Sequence, residues 1–187
     1  KYNLFHLDSG ILYRRLAQLI LKNKINYNNR SELKKFLTQL KPLSIKKHKS
    51  LRTEKISKIS SNIATNSIVR EFIDKQQKII VKNMMYQGKS SVVDGRDIGS
   101  KVFKNAKIKL FIDLDVKIRA KRRYKQLIGL GEKSIYAQIL KEIKLRDRLD
   151  KNRRHSPLVT PKGAIIIDNS SNFQNTIKQI NIALKKI

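Results

Sequence analysis

The chain has no cysteine and no tryptophan, and its 187 residues include only 14 acids, 7 glycines and 3 prolines. Without cysteine there is neither a disulfide framework nor a thiolate metal site, and three scattered histidines, His6, His48 and His155, do not form a zinc cluster. No run approaches the roughly 18 uncharged apolar residues of a membrane span, and no short apolar stretch with a small-residue cleavage site follows the basic start. A soluble protein that is not exported and has no membrane partner is therefore expected. The few glycines and prolines nowhere gather into a linker, and no segment repeats. With 40% hydrophobic residues the chain can bury a core, which excludes wholesale disorder.

What is abundant is lysine. Lys and Arg number 43, giving a formal charge of +29. A nucleic-acid binder is the direct reading, because basic side chains release counterions from phosphate backbones. The composition offers a blander cause: 30 Lys, 26 Ile and 14 Asn make 70 of 187 residues, as an AT-rich genome would encode, and the lysines scatter along the whole length. Net charge sets solubility and steering, not fold. Aromatic residues are only 6% and show no interleaved stacking pattern, and no helix-turn-helix or RNA-recognition signature is present. Where the scarce acids survive is then informative.

Strand-like and helix-like segments alternate, the pattern of a parallel α/β sheet. Strands are expected at Asn3–Leu7, Ser91–Asp94, Ile108–Asp113 and Ala164–Asp168. Helices are expected at Ile11–Lys22, Thr53–Ala64, Ser67–Lys82, Val116–Leu127, Ser134–Asn152 and Asn172–Lys186, with Asn66 capping the third and Gly129 and Gly131 closing the fourth. Asn23–Leu51 reads as a polar, Lys-rich excursion with a short helical piece near Glu32–Leu40, broken by Pro42.

Three acid-bearing constellations stand out. Leu7-Asp8-Ser9-Gly10 ends a strand, with Tyr13 and Arg14 one turn into the next helix. Such a strand end is where open α/β sheets bind ligands, although an N-cap and a surface Arg explain it as well. Asp94-Gly95-Arg96-Asp97-Ile98-Gly99 follows an apolar strand directly. A plain turn does not need two carboxylates around an Arg, and buried charge is costly unless compensated, so a functional cluster is the better explanation. On the helix Ser134–Asn152, the stripe Ile135, Ile139, Ile143 continues as Arg146, Asp150 and Arg153, which lie within about 60° of one another at about 100° per residue. A solvated salt-bridge face accounts for it equally well.

Together these motifs resemble bacterial cytidylate kinases. The match runs through Leu-Asp-Ser-Gly with Tyr13-Arg14, Arg52-Thr53-Glu54, Val69-Arg70, Asp-Gly-Arg-Asp-Ile-Gly, and Arg146-Asp147-Arg148 with Asp150 and Asn152-Arg153 before Pro157-Leu158, so it covers nearly the whole chain. Adenylate kinases carry a Gly-Phe-Pro-Arg element where this chain has Gly95-Arg96-Asp97, and shikimate kinases lack the Arg146/Asp150 ridge. The resemblance implies a three-layer P-loop NTPase fold of the nucleoside monophosphate kinase type, with a parallel sheet. It implies transfer of the ATP γ-phosphoryl group to CMP or dCMP with Mg²⁺, in pyrimidine nucleotide metabolism, by a cytoplasmic monomer.

By the same resemblance, Arg14, Arg96 and Arg153 grip the acceptor phosphate, a task for which planar guanidinium forks are suited. Asp97, Ser61 and Arg70 read the cytosine, whose amine donates while O2 and N3 accept. Apart from the resemblance, Ser61 and Arg70 would pass as surface residues. Arg146 and Asp150 contact the ribose, Asp8 and Ser9 face the acceptor, and Asp94 supports Mg²⁺ and the phosphate loop, with Arg153, Asp94 and Arg96 closest to the chemistry. Arg119, Arg122 and Arg123 are candidates for clamping ATP, with a basic helix surface as the alternative. No direct metal ligand is assignable.

The expected organisation is a core begun by residues 1–28, an acceptor-binding insert at 29–52, and the rest of the core at 53–187 with a lid near 128–157. Two departures from the family pattern stand out. The insert is short and Lys-rich, which implies a reduced lid. The chain also opens past the strand, Gly-rich loop and helix of the pattern, about 25 residues by ordinary element lengths. The expectation is thus a chain lacking the P-loop and the central strand, binding CMP poorly and ATP hardly at all. A non-catalytic nucleotide-binding fragment and a basic nucleic-acid-binding protein are the alternatives.

Overall fold

A computed structural model describes residues 3–129 and 131–185. The chain gathers into two compact units, Lys1–Ile98 and Gly99–Ile187, each an α/β arrangement with short parallel strands.

The first unit begins with β1 (Phe5–Asp8) and α1 (Ser9–Lys22). Asp8 ends the strand and caps the helix at once, its carboxylate accepting from the Gly10 N–H at 3.0 Å. Leu12, Leu16, Ala17 and Ile20 form the inward face of α1 at helical spacing. Next come α2 (Arg30–Gln39), a 3₁₀ turn (Lys49–Arg52), α3 (Glu54–Ile63), α4 (Ser67–Tyr86) and β2 (Ser91–Asp94). Asn29, Thr53 and Asn66 supply the side-chain N-caps of α2, α3 and α4. A core of Leu12, Leu16, Ile20, Leu33, Leu37, Ile63, Val69 and Ile73, among others, ties the helices together.

β1 and β2 pair in parallel with Asp8 opposite Asp94, so two carboxylates stand level at the carboxyl ends of neighbouring strands.

The second unit holds β3 (Leu110–Asp113), α5 (Val116–Gly129), α6 (Tyr136–Asn152), β4 (Ile165–Asp168) and α7 (Phe173–Leu184), and a π-helical turn covers Ile98–Val102 at the division between the units. β3 and β4 also pair in parallel, Asp113 opposite Asp168. Asp115 caps α5 by accepting from the Lys117 N–H at 2.7 Å. Ala120 and Leu127 of α5 meet Ile139 of α6, with Tyr124, Leu140 and Ile143 packed around them.

Three sequence expectations need revision. Residues 23–51 are not merely a polar excursion: Leu33, Leu37, Leu43 and Leu51 are buried, and Arg15 donates to the carbonyls of Ser44 and Lys46. The i, i+4 pair Leu33/Leu37 gives α2 one apolar face despite its lysines. Ile135 does not extend the packing stripe of α6. It precedes the helix and is exposed, and the stripe rests on Ile139 and Ile143. Arg153 lies past the end of α6 with extended backbone, and no longer follows helical spacing. The end of the expected last helix, Lys186, lies outside the described residues. Among the described residues no helix is long and apolar enough to cross a membrane.

Candidate functional site

In the first unit the candidate residues gather where β1 and β2 end. Ser9, the first residue of α1, is buried, and Gly95 follows β2. A Cβ at Gly95 would come within 2.4 Å of the Ser9 Oγ and 2.7 Å of the Ile98 side chain, so only glycine lets this loop lie against the start of α1. Asp94 is exposed, and its carboxylate meets His6 Nε2 at 3.4 Å.

Asp97 is buried and pairs with Arg70, which projects inward from α4. Arg70 is only 2% exposed, contrary to the surface position its sequence suggested. It shares the inward face of α4 with Ile73 and Gln77, at i+3 and i+7, so the guanidinium is carried into the core by helical periodicity. One nitrogen donates to Asp97 and another to the Ala64 carbonyl at 3.1 Å, while the guanidinium stands 6.0 Å from the centre of the Tyr13 ring. Burial pulls the Arg70 pKa down, but Tyr13 and then Asp97 and Asp74 outweigh it and hold the guanidinium above its ordinary value. The pair is a fixed donor-acceptor edge in a desolvated setting.

The other candidates of this unit lie on the same elements. Arg14 is half-buried on α1, Arg96 is half-buried between Gly95 and Asp97, and Ser61 is exposed on the last turn of α3.

In the second unit α6 carries the candidates. Arg146 is exposed, and Asp150, one turn on, receives Arg153 at 3.2 Å. Arg153 also donates through Nε to the Ser156 carbonyl, and the Leu158 N–H returns to the Asp150 carbonyl at 2.7 Å. The chain after α6 thereby folds back over the helix end, holding Asp150 and Arg153 together.

Arg119 is committed within the unit. Its two terminal nitrogens reach the two oxygens of Asp147 at 2.9 and 2.5 Å, and its Nε donates to the Leu114 carbonyl at 3.2 Å. The hydrogen bond to Asp147 raises the Arg119 pKa above its ordinary value against partial burial. Arg122 donates to the carbonyls of Asn169 and Ser171, and Arg123 to Gln126 on its own helix.

Sequence reasoning gave no role to Tyr13 or Asp147. Tyr13 stands on α1 and the guanidinium it faces on α4, so nothing local in the sequence joins them. Asp147 had one: an acid flanked by Arg146 and Arg148 in a chain short of acids. Among the described residues, no group of three or more His, Asp or Glu is placed to hold a metal ion.

A sequence model of the cytidylate kinase family matches residues 1–186. The chain is 31% identical over 198 aligned residues to the cytidylate kinase of Fusobacterium nucleatum, covering all of this chain and 88% of that protein. It is 37% identical over 170 residues to the cytidylate kinase of Rickettsia akari and 36% to that of Rickettsia rickettsii, in each case covering 91% of this chain and 74% of the relative.

Proposed function

The chain belongs to the cytidylate kinase family, and on that premise we propose that it is a nucleoside monophosphate kinase of P-loop NTPase fold whose first unit reads the cytosine of CMP or dCMP through Arg70 and Asp97. The supporting observation is the buried pair itself: a carboxylate that can accept from the exocyclic amine, beside a guanidinium that can donate to O2 and N3. Uracil presents an oxygen where cytosine has the amine, and so would set an acceptor against Asp97. A buried polar edge left unmatched in this way costs far more than a lost contact in water. Ser61 is assigned to the same base.

Following the family motifs, Arg14, Arg96 and Arg153 are assigned to the acceptor phosphate. Arg146 and Asp150 are assigned to the ribose, and Asp8 and Ser9 support the acceptor at the strand end. Phosphoryl transfer needs positioning and charge stabilisation more than a strong base, which suits a site rich in guanidinium groups. Mg²⁺ binds through one or two carboxylates together with phosphates and water, and the exposed Asp94 at the end of β2 fits that requirement. When bound, the ion would neutralise charge on the transferring phosphates. Arg123, on the exposed side of α5, is assigned to the donor ATP, and Arg119 could join it only by exchanging Asp147.

The test is formation of CDP from CMP and Mg-ATP by the natural protein, with UMP and AMP as competing acceptors. CMP or dCMP should be preferred by roughly 10²-fold or more, as expected of a site that hydrogen-bonds its substrate. Equal use of UMP would refute the base assignment.

A further inference from the structure

Ser156 has a backbone φ of 56°, in the left-handed region that residues with a side chain rarely occupy. Two features set it apart from Lys24, whose φ is 52°. Lys24 directly follows the C-cap of α1, where a left-handed residue commonly ends a helix, whereas Ser156 stands three residues beyond Arg153, the C-cap of α6. Ser156 also precedes Pro157, and the residue before a proline is ordinarily held in the extended region. No local preference therefore puts Ser156 in this conformation. Unfavourable backbone of this kind persists only where its surroundings over-determine it, and it collects at functional sites.

The surroundings of Ser156 do so. The Leu158 N–H donates to the Asp150 carbonyl at 2.7 Å, closing the chain from the last turn of α6 to the residue after Pro157. Inside this closure the Ser156 carbonyl is turned back and accepts from Arg153 Nε. Arg153 Nη1 donates to the Asp150 carboxylate at 3.2 Å, and the Arg153 side chain is only 8% exposed. A guanidinium is a rigid plane, so holding Nε and one terminal nitrogen fixes the direction of the whole fork. The Ser156 hydroxyl, by contrast, is shut off from solvent and has no hydrogen-bond partner among the described residues. What this residue supplies is its main chain.

We propose that Ser156 is a positioning residue: its left-handed backbone aims its carbonyl at Arg153 and so orients the guanidinium that meets the acceptor phosphate. The inference rests on the assignment of Arg153 to that phosphate. With Asp150 alone the fork would have one anchor and could swing about it. Moving Ser156 into the extended region would redirect its carbonyl and leave the fork in that state. Phosphoryl transfer depends on positioning, so a misdirected fork lowers the rate even while the phosphate is still bound.

The test compares Ser156→Gly, Ser156→Ala and Ser156→Val in the natural protein, by steady-state kinetics with CMP and Mg-ATP well below each variant's unfolding temperature. The valine change is repeated in an Arg153→Lys background. Glycine enters the left-handed region without strain and should keep kcat within about twofold of wild type. Alanine loses only the hydroxyl and should stay within about threefold. Valine, whose branched Cβ opposes a positive φ, should lower kcat by roughly tenfold or more while KM for CMP changes by less than about threefold. In Arg153→Lys the same change should cost less than about twofold, because the fork to be oriented is gone. A full tenfold further loss in that background would show that Ser156 acts without Arg153, and overturns the proposal. So does wild-type kcat in folded Ser156→Val, or an alanine variant as impaired as the valine one, which would make the hydroxyl the working group. Unchanged kcat and KM in Arg153→Lys would refute the phosphate assignment and the role of Ser156 with it. Impaired Arg153→Lys beside fully active Ser156→Val would refute the role of Ser156 alone.

Discussion

Two ion pairs show how differently the two units carry charge. Arg70 and Asp97 have side chains 2% and 8% exposed, whereas those of Arg119 and Asp147 are 31% and 19% exposed. The first pair sits beside a broad apolar cluster built from α1, α2, α3 and α4; the second lies where α5 and α6 meet over Ala120, Leu127 and Ile139. A thick core can desolvate a charge pair, and desolvation makes a mismatched ligand costly. A thin one leaves the pair half-wet, where its attraction is screened and its partners can be exchanged. The first setting suits discrimination between similar bases.

Breaking the buried pair should have the largest effect. Asp97→Ala leaves the Arg70 guanidinium buried without its partner and should cost about 3–5 kcal/mol in urea unfolding. The double change Arg70→Met/Asp97→Leu should recover most of that stability, since the charge and its partner leave together, while preference for CMP is lost. A double variant as unstable as Asp97→Ala would contradict the account of that site.

The difference in cores can be measured directly. Leu16→Ala empties a fully buried position in the first unit and should cost about 2–5 kcal/mol. Ile139→Ala, in the smaller cluster, should fall at or below the lower end of that range, because neighbouring side chains near solvent can collapse into the space. Equal costs would remove the contrast.

The half-exposed pair should matter least for stability. Asp147→Asn keeps the shape but removes the charge, and should cost about 1 kcal/mol or less, shrinking further at high salt. A loss as large as that of Asp97→Ala would mean that burial does not separate the two pairs.

The smallest effect concerns acid. Asp168 is held below the usual carboxylate range by the Ser170 hydroxyl and then the Ser170 N–H. A carboxyl whose folded pKa is depressed contributes stability that is present above its unfolded pKa and lost as pH falls through the folded one. Ser170→Ala should weaken this contribution, lowering stability slightly at neutral pH and making its loss in acid slightly shallower, a small effect because the carboxylate is solvated. An equal loss of stability at neutral pH and at a pH low enough to protonate the carboxyl in both states would point to packing and not to titration.

Local features were the legible part of the fold. Asp8 and Asn66 cap helices where their side chains predict it, and β2 spans Ser91–Asp94 as its apolar run suggests. These are decided within a few residues. The burial of Arg70 was also written in the spacing, at i+3 and i+7 to Ile73 and Gln77, but an Arg on an inward stripe is intelligible only once Asp97, 27 residues away, is seen to meet it. Arg119 and Asp147 are 28 residues apart, and nothing local joins them. The insert misled because its many lysines masked the four leucines that anchor it. Within the candidate site, the motifs identified the residues, whereas which carboxylate satisfies which guanidinium is a property of the packing.

The central claim is that Arg70 and Asp97 form a base-reading edge. It is tested most directly by measuring kcat/KM for CMP and for UMP with wild type and Asp97→Asn. The account predicts a CMP preference of roughly 10²-fold or more in wild type that falls toward parity in the variant, because an amide can donate to uracil O4 as readily as it accepts from cytosine. A preference that survives Asp97→Asn unchanged would contradict it.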